Sequence, residues 1–406
     1  MKKALFVSAL TVASAVFADA DLLNRPAGIK VGDRLTLSPY VSFSFTYDSN
    51  PDSARTGDGG GQYFTANPGL GISFKADEWN INGSVYYNYH AYTSRFQKEL
   101  DNSSYGEQLG ISWSNLGTDG GWSANLSERW SKVDQNDDFK HSDGKGLWRN
   151  RGQFDVSAAL HRRFNRFLHA GVNAGFYWLD YANDSNSYAP LYGWDRWNAG
   201  AQIGFTLSQW TDLFLSGTYS SYTQDNDGGQ VSSESHGYTV HAGFGSYMTD
   251  KIQYSISAGM STFEYGDTSS SKGFTYQGDI RWRISDTWST TLLFSSYYQP
   301  SEREYNSSSR NDSLSWGLSK SLVNGKLNAT FDVAYRHETT EYCTTSTADN
   351  DYNMLTARLG FSYSLNRLLS FFLRGEYQEE LNCGEAIDCH YNYERWRITF
   401  GMRFSY

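Results

Sequence analysis

The sequence has no long apolar run that would cross a membrane as a helix. Beyond the first twenty residues, no stretch approaches the about 20 consecutive apolar residues that a spanning helix needs. Enzyme motifs are also missing, with no GxSxG, no HExxH, no Walker loop and no paired CxxC. His161, His169 and His241 fall on three separate predicted strands. The spacing therefore does not bring a catalytic base and a nucleophile together. These absences exclude a helical membrane protein and predict a protein that is not an enzyme and binds no cofactor.

Cysteine is scarce, with 3 residues in 406. Cys383 and Cys389, in "NCGEAIDC", are spaced to close a short disulfide in an oxidising compartment. Cys343 would then stay unpaired or compete for one of them. A metal site needs more ligands than these cysteines and His390 supply, so no metal is predicted.

Aromatic residues, in contrast, are abundant. They make up 17% of the chain, with 30 Tyr, 24 Phe and 13 Trp, although the mean hydropathy is only −0.59. Disordered chains are poor in aromatics, so the low hydropathy does not indicate disorder. Many short strands, each with one polar and one apolar face, would account for both observations.

The N-terminus predicts export. "MKKALFVSALTVASAVFADA" has two lysines, an apolar core and a small-x-small site, as in a secretory signal peptide at 1–20. Cleavage after Ala20 is preferred, and cleavage after Ala18 is the alternative. An exported chain without spanning helices is either soluble or a closed barrel, because lipid requires every backbone group to be paired. If the chain is a barrel, we expect a periplasmic leader at 21–33 and one barrel domain at 34–406.

Residues alternate between apolar and polar along most of the chain. In "WNINGSVYYNYHAY" (79–92), apolar side chains and a glycine take one face, and mostly polar side chains take the other. This period of two is the strand signal. It predicts strands at 35–47, 62–74, 79–92, 104–115, 122–132, 147–163, 167–178, 194–208, 211–222, 235–248, 251–264, 272–284, 288–298, 309–321, 326–339, 353–365, 368–378 and 391–406.

The connections between these strands are alternately short and long. Short turns such as "NR" and "NGK" alternate with longer polar loops such as "VDQNDDFKHSDGKG", giving eight short and nine long connections for eighteen strands. Outer-membrane barrels have short periplasmic turns, longer outer loops and an even number of strands. The predicted fold is therefore an all-β, single-chain, transmembrane, antiparallel up-and-down barrel of about 18 strands, with 16 or 20 as alternatives. A secreted β-sandwich would also alternate, but its connections would not sort by length.

The last strand, "RWRITFGMRFSY", combines an apolar stripe with interleaved arginines. It resembles the C-terminal signature of bacterial outer-membrane proteins, which implies a segment read by the barrel-assembly machinery. That stripe is Trp396, Ile398, Phe400, Met402, Phe404 and Tyr406. More broadly, "SFSFTYDSNPD" and the aromatic-rich hairpins resemble the putative β-barrel porin type-2 group, which implies a porin-like barrel in the outer membrane of a Gram-negative-type bacterium.

Charge is distributed unevenly between the predicted loops and the predicted lumen. The net charge is −10, and acidic residues such as Asp48, Asp58, Asp137 and Asp225 fall in predicted outer loops. Four carboxylates fall on inner positions: Asp155, Asp279, Asp332 and Glu376. Arginines dominate those positions: Arg129, Arg149, Arg151, Arg163, Arg196, Arg281, Arg283, Arg336, Arg358, Arg374, Arg395, Arg397 and Arg403.

Two interpretations of these arginines stay open. A basic wall would favour anions. Alternatively, the arginines pair with carboxylates in a structural network, which the sequence favours somewhat more. Both depend on register, because a slip of one residue moves every side chain to the other face.

The resulting hypothesis is a channel for passive diffusion of small polar solutes, leaning toward anions. The alternatives are a non-conducting structural or adhesive barrel and a conduit for polysaccharide export. A TonB-dependent transporter is not favoured, because such barrels have 22 strands and a plugged lumen. Membrane lipid, the assembly machinery and small solutes are the expected partners; nucleic acid is not, and no oligomeric state is predicted.

Overall fold

Alternating side chains form strands throughout the part of the chain that the structure describes. The structure is a computed structural model that describes residues 28–50, 60–93, 102–117, 120–140, 146–181, 193–208, 211–224, 233–246, 251–265, 269–300, 308–341, 350–380 and 394–406. No helix in these ranges is long and apolar enough to cross a membrane. The strands are β1 Ile29–Val31, β2 Leu35–Asp48, β3 Gly61–Lys75, β4 Trp79–Tyr92, β5 Asn102–Ser114, β6 Gly121–Lys140, β7 Gly146–Arg163, β8 Leu168–Tyr181, β9 Trp194–Ser208, β10 Thr211–Gln224, β11 Ser233–Ser246, β12 Ile252–Tyr265, β13 Ser269–Arg283, β14 Trp288–Pro300, β15 Ser308–Leu322, β16 Leu327–Glu341, β17 Asn350–Ser364, β18 Leu369–Glu380 and β19 Glu394–Ser405.

Strands β2 to β19 form one closed antiparallel barrel. Each strand pairs with its sequence neighbour, and β19 pairs with β2 from Arg397↔Asp48 to Ser405↔Tyr40. The ring therefore has eighteen strands, and the predicted fold class is confirmed. Pairing of β19 with β2 closes the ring, and closure is the condition for a sheet to cross a bilayer.

Two segments differ from the sequence prediction. The stretch 133–146 was predicted as a long loop, but β6 continues to Lys140 and β7 begins at Gly146, with a register irregularity between Asp137 and Lys140. Asp137 therefore lies in a strand. An antiparallel ladder can continue beyond the membrane with polar residues on both faces. The polar composition of 133–146 therefore did not show where β6 ends and β7 begins. Within the predicted leader, β1 pairs with the beginning of β2.

The outer face of the barrel is apolar. Trp197, Met260 and Phe400 are each more than half exposed on this face, whereas their sequence neighbours point inward. Large apolar side chains exposed in this way suit lipid rather than water. The stripe predicted on β19 lies on this outer face, from Trp396 to Tyr406.

The short turns are built by asparagine and glycine. Asn165 Oδ1 accepts hydrogen bonds from the backbone N–H groups of Phe167 and Leu168, and Asn366 Oδ1 accepts the equivalent pair in its own turn. Gly325, in the predicted "NGK" turn, has a φ of 84° that favours glycine. These turns define one end of the barrel, called here the short-turn end; the opposite end is the long-loop end.

Candidate functional site: the barrel lumen

The structure places the predicted charged residues on the inner face of the barrel. They alternate with exposed apolar neighbours, as Arg397 does between Trp396 and Ile398. The side chain of Arg149 lies outside the part of the chain that the structure describes. The same holds for Cys343, Cys383 and Cys389. The inward set is Arg129, Arg151, Arg163, Arg196, Arg281, Arg283, Arg336, Arg358, Arg374, Arg395, Arg397 and Arg403, with Asp155, Asp279, Asp332 and Glu376. Their roles in selectivity stay predictions.

On one side of the lumen, from β13 through β19 to β2, many arginines are paired. Glu376 accepts hydrogen bonds from Arg358 Nε at 2.8 Å and from Arg397 Nη2. Arg281 Nη2 lies 2.7 Å from Asp279 Oδ2 on the same strand. We call this side the paired wall, because at least five of its eight described inward arginines form ion pairs with carboxylates.

The paired wall includes partners that sequence reasoning missed. Asp48 was predicted in an outer loop, but it is the last residue of β2, is fully buried and binds Arg395 of β19. Glu338 binds Arg336 at 2.8 Å. Continuing the inward alternation by one step beyond the predicted end of β2 would have found Asp48, and the same alternation within β16 would have found Glu338.

Across β6 to β9 the balance of charge is different. Asp155 interacts electrostatically with Arg196 and Arg129. The Arg196 guanidinium also lies over the Tyr177 ring, 5.4 Å from its centroid. Among the described side chains of these four strands, Asp155 is the one carboxylate that points inward. We call this side the cationic wall; its inward arginines are Arg129, Arg151, Arg163 and Arg196.

The inward histidines have structural surroundings. His241 is buried, with Nε2 2.8 Å from Thr275 Oγ1 and Nδ1 3.4 Å from Ser257 Oγ. Thr275 also bonds Ser261 at 2.7 Å. His169 Nε2 lies 4.0 Å from Asp212. The hydrogen bonds of His241 join neighbouring strands. Among the described contacts, no carboxylate lies beside the Ser257–His241 pair.

The solved structures that resemble this chain do so only distantly. A siderophore receptor, PirA, from Pseudomonas aeruginosa is similar over 94% of this chain and 85% of its own, with a TM-score of 0.43 and 8% identity. The FrpB iron transporter from Neisseria meningitidis is similar over 93% and 82%, with a TM-score of 0.46 and 10% identity. Such distant likeness transfers neither protein's function.

No curated protein matches the sequence. A family model does match it, over residues 24–406, which is nearly the whole chain. The closed eighteen-strand ring, the apolar outer face and the polar lumen agree with that match. The chain belongs to the family described as "Putative beta-barrel porin 2", and its barrel is of the outer-membrane type.

Proposed function

We propose that the protein is a porin-like channel through which small polar solutes diffuse passively, with a preference for anions. A solute would cross through water past fixed charges and hydroxyl groups, without a covalent step, a cofactor or enzymatic activity. Barrels of 16 to 18 strands are wide enough for such an aqueous channel. The proposal includes cleavage of the signal peptide and insertion by the barrel-assembly machinery.

The observation that carries the anion preference is the cationic wall. Among the described side chains of β6 to β9, its four inward arginines face one inward carboxylate, so a net positive charge remains on this wall. Rings of arginine or lysine in a pore favour anions. At physiological ionic strength this field extends about 8 Å from the wall, so solutes that pass close to it would feel it. The paired wall would contribute less per strand, because its described side chains place eight inward arginines and five inward carboxylates over eight strands, whereas the cationic wall has four and one over four strands.

One observation supports a second candidate, a non-conducting structural barrel. Several polar side chains on the inner face of β11 to β15 are almost completely inaccessible, among them Ser257, Thr275 and Asn311. An open, water-filled lumen would expose such residues. If the whole lumen were filled in this way, the barrel would not conduct.

Swelling of proteoliposomes tests the proposal with three sugars of nearly equal size. We expect glucuronate, an anion, to enter faster than glucose, and protonated glucosamine to enter most slowly. Arg151→Gln combined with Arg196→Gln should reduce the glucuronate preference.

A matched control is Arg162→Gln, because Arg162 lies on the outer face of β7 and stacks on Trp122. It removes one positive charge from the outer face without changing the lumen, so it should leave the preference unchanged. Equal entry of all three sugars, or faster entry of glucosamine, would contradict the anion preference. Absence of swelling with a folded barrel would favour the non-conducting candidate.

A further inference from the structure

Strands β13 and β14 separate halfway along their length. They pair from Arg283↔Ser289 to Gln277↔Ser295, and no recorded pairing among the described residues joins them beyond that point. β13 continues beside β12 to Tyr265↔Ser269, and β14 continues beside β15 to Pro300↔Ser308. The wall of the barrel therefore divides toward the long-loop end, while each strand keeps its other neighbour.

The ends of β14 and β15 beyond this division lie inside the barrel. Ser271, on the inner face of β13, is 3.4 Å from Ser308 of β15, so β13 contacts β15 past the strand between them. A Cβ placed on Gly273, also on the inner face, would meet the Tyr298 hydroxyl and come within 3.5 Å of Arg310 Nη1. Cα atoms of β14 also lie within 8 Å of Cα atoms of β11 and β12, which are not its sheet neighbours.

We define the infolded segment as Ser296–Pro300 with Ser308–Asp312. By alternation, Tyr298 has the position of an outward-facing side chain on β14, like Phe294. Because the segment lies against the inner face of β12 and β13, this nominally outer side is covered by the wall. The segment thus occupies space that a regular barrel would leave as lumen.

Aromatic contacts hold the segment in this position. Tyr298 belongs to a buried cluster with Phe263, Tyr222 and Trp194 on the inner wall. The ring centroids of Tyr222 and Phe263 are 5.2 Å apart, and those of Trp194 and Tyr222 are 5.7 Å apart. These contacts shield apolar surface that would otherwise meet the water of the lumen, which favours the infolded arrangement.

Unsatisfied polar groups oppose this arrangement. Ser309 Oγ and Asn311 Nδ2 are buried and make no hydrogen bond. Leaving a buried polar group unpaired is unfavourable. In addition, among the described residues β13 and β14 do not form, beyond the division, the ladder that a regular barrel would have between them. A second arrangement, with Ser296–Pro300 returned to the wall beside β13, would pair the two strands there and expose the polar groups to water.

We infer that the infolded segment is a gate that constricts the channel at its long-loop end, closed in the arrangement described and opened when the segment returns to the wall. Arg336 lies at its inner surface: its guanidinium donates to Asn311 Oδ1 at 2.7 and 3.0 Å, and its side chain is 39% exposed. A solute passing the gate would meet this cation together with its ion-pair partner Glu338. The inference rests on the proposed channel function.

Single-channel recording in planar bilayers tests the gate. In Tyr298→Ala the aromatic contact is lost, and we expect the mean conductance to rise roughly twofold or more, because an unobstructed barrel of this size leaves an aqueous channel. The control is Tyr238→Ala, since Tyr238 is exposed on the outer face of β11; its conductance should match that of the unaltered protein.

A disulfide lock tests the same gate without removing Tyr298. Ser271→Cys and Ser308→Cys, with Cys343, Cys383 and Cys389 replaced by serine, should form a disulfide on oxidation. The oxidised protein should stay at its lowest conductance level, and dithiothreitol should restore the higher levels.

The outcomes separate the gate from the channel. If the unaltered protein conducts but Tyr298→Ala and the reduced lock show no increase, the gate is refuted and the channel stands. If only Tyr298→Ala and the reduced lock conduct, the gate stands and a permanently open pore is refuted. If no folded variant conducts, both are refuted. Failure of the cysteines to link in a folded, conducting barrel would also refute the gate.

Discussion

Removal of Arg395 should destabilise the barrel at the seam where its two ends meet. Arg395 of β19 donates three hydrogen bonds to Asp48 of β2, at 2.6, 3.0 and 3.1 Å, across 347 residues of sequence. Asp48 is fully buried, and the side chain of Arg395 is 12% exposed. Thr46 and Thr399 add a hydrogen bond of 2.9 Å across the same seam. In Arg395→Ala the carboxylate of Asp48 would remain buried without its cation.

The size of the effect follows from burial. Breaking a buried ion pair by removing one partner costs about 3–5 kcal/mol, because a buried charge is left uncompensated. The pair between Arg281 and Asp279 is a matched comparison, since its distance of 2.7 Å is similar but Arg281 is 51% exposed. An exposed pair contributes about 0–1 kcal/mol. We therefore expect Arg395→Ala to cost about 3 kcal/mol more than Arg281→Ala.

Urea unfolding of the barrel in lipid vesicles, followed by tryptophan fluorescence, measures this difference. The variant Asp48→Asn with Arg395→Gln removes both charges together and should recover a substantial part of the lost stability. Equal destabilisation by Arg395→Ala and Arg281→Ala would refute the argument that burial of Asp48 makes the seam pair important. So would a doubly substituted barrel that is less stable than Arg395→Ala.

Two further changes test the outer face and one turn. Phe400→Arg places a cation on the lipid-facing side of β19 and should lower the free energy of unfolding, measured with urea in vesicles, by about 2–4 kcal/mol. Phe404→Arg, nearer the membrane interface at the short-turn end, should lower it by about 0–1 kcal/mol. Equal losses would contradict the assigned membrane position. Gly325→Ala, at a φ of 84°, should cost about 1–2 kcal/mol. Its control is Gly375→Ala, where an added Cβ meets no atom within 4 Å; an equal or greater cost in the control would contradict the role of the turn.

The regular part of the fold could be predicted from the sequence because two signals agree. Lipid outside and water inside enforce strict alternation on strands such as 79–92, and the alternating loop lengths then give the strand count. The inward position of residues such as Arg397 follows from the same period. Asn165 and Asn366 mark their turns because asparagine side chains bond backbone N–H groups locally.

The features that could not be predicted depend on contacts across the barrel. The partner of Arg395 is Asp48, 347 residues away, and pairing of the two is set by closure of the ring rather than by local pattern. The infolded segment was even less predictable from the sequence. Tyr298 and Arg310 continue the outward alternation of their strands, so the sequence gives no sign that this face lies against the inside of β13. The excess charge of the cationic wall emerges only when four neighbouring strands are counted together.

The reversal potential of single channels under a salt gradient tests the central claim most directly. If the cationic wall controls permeation, the reversal potential should have the sign of anion preference, and Arg151→Gln with Arg196→Gln should move it toward zero while Arg162→Gln leaves it in place. A reversal potential with the sign of cation preference, or one that the lumen substitutions do not change, would contradict the proposed role of the arginines.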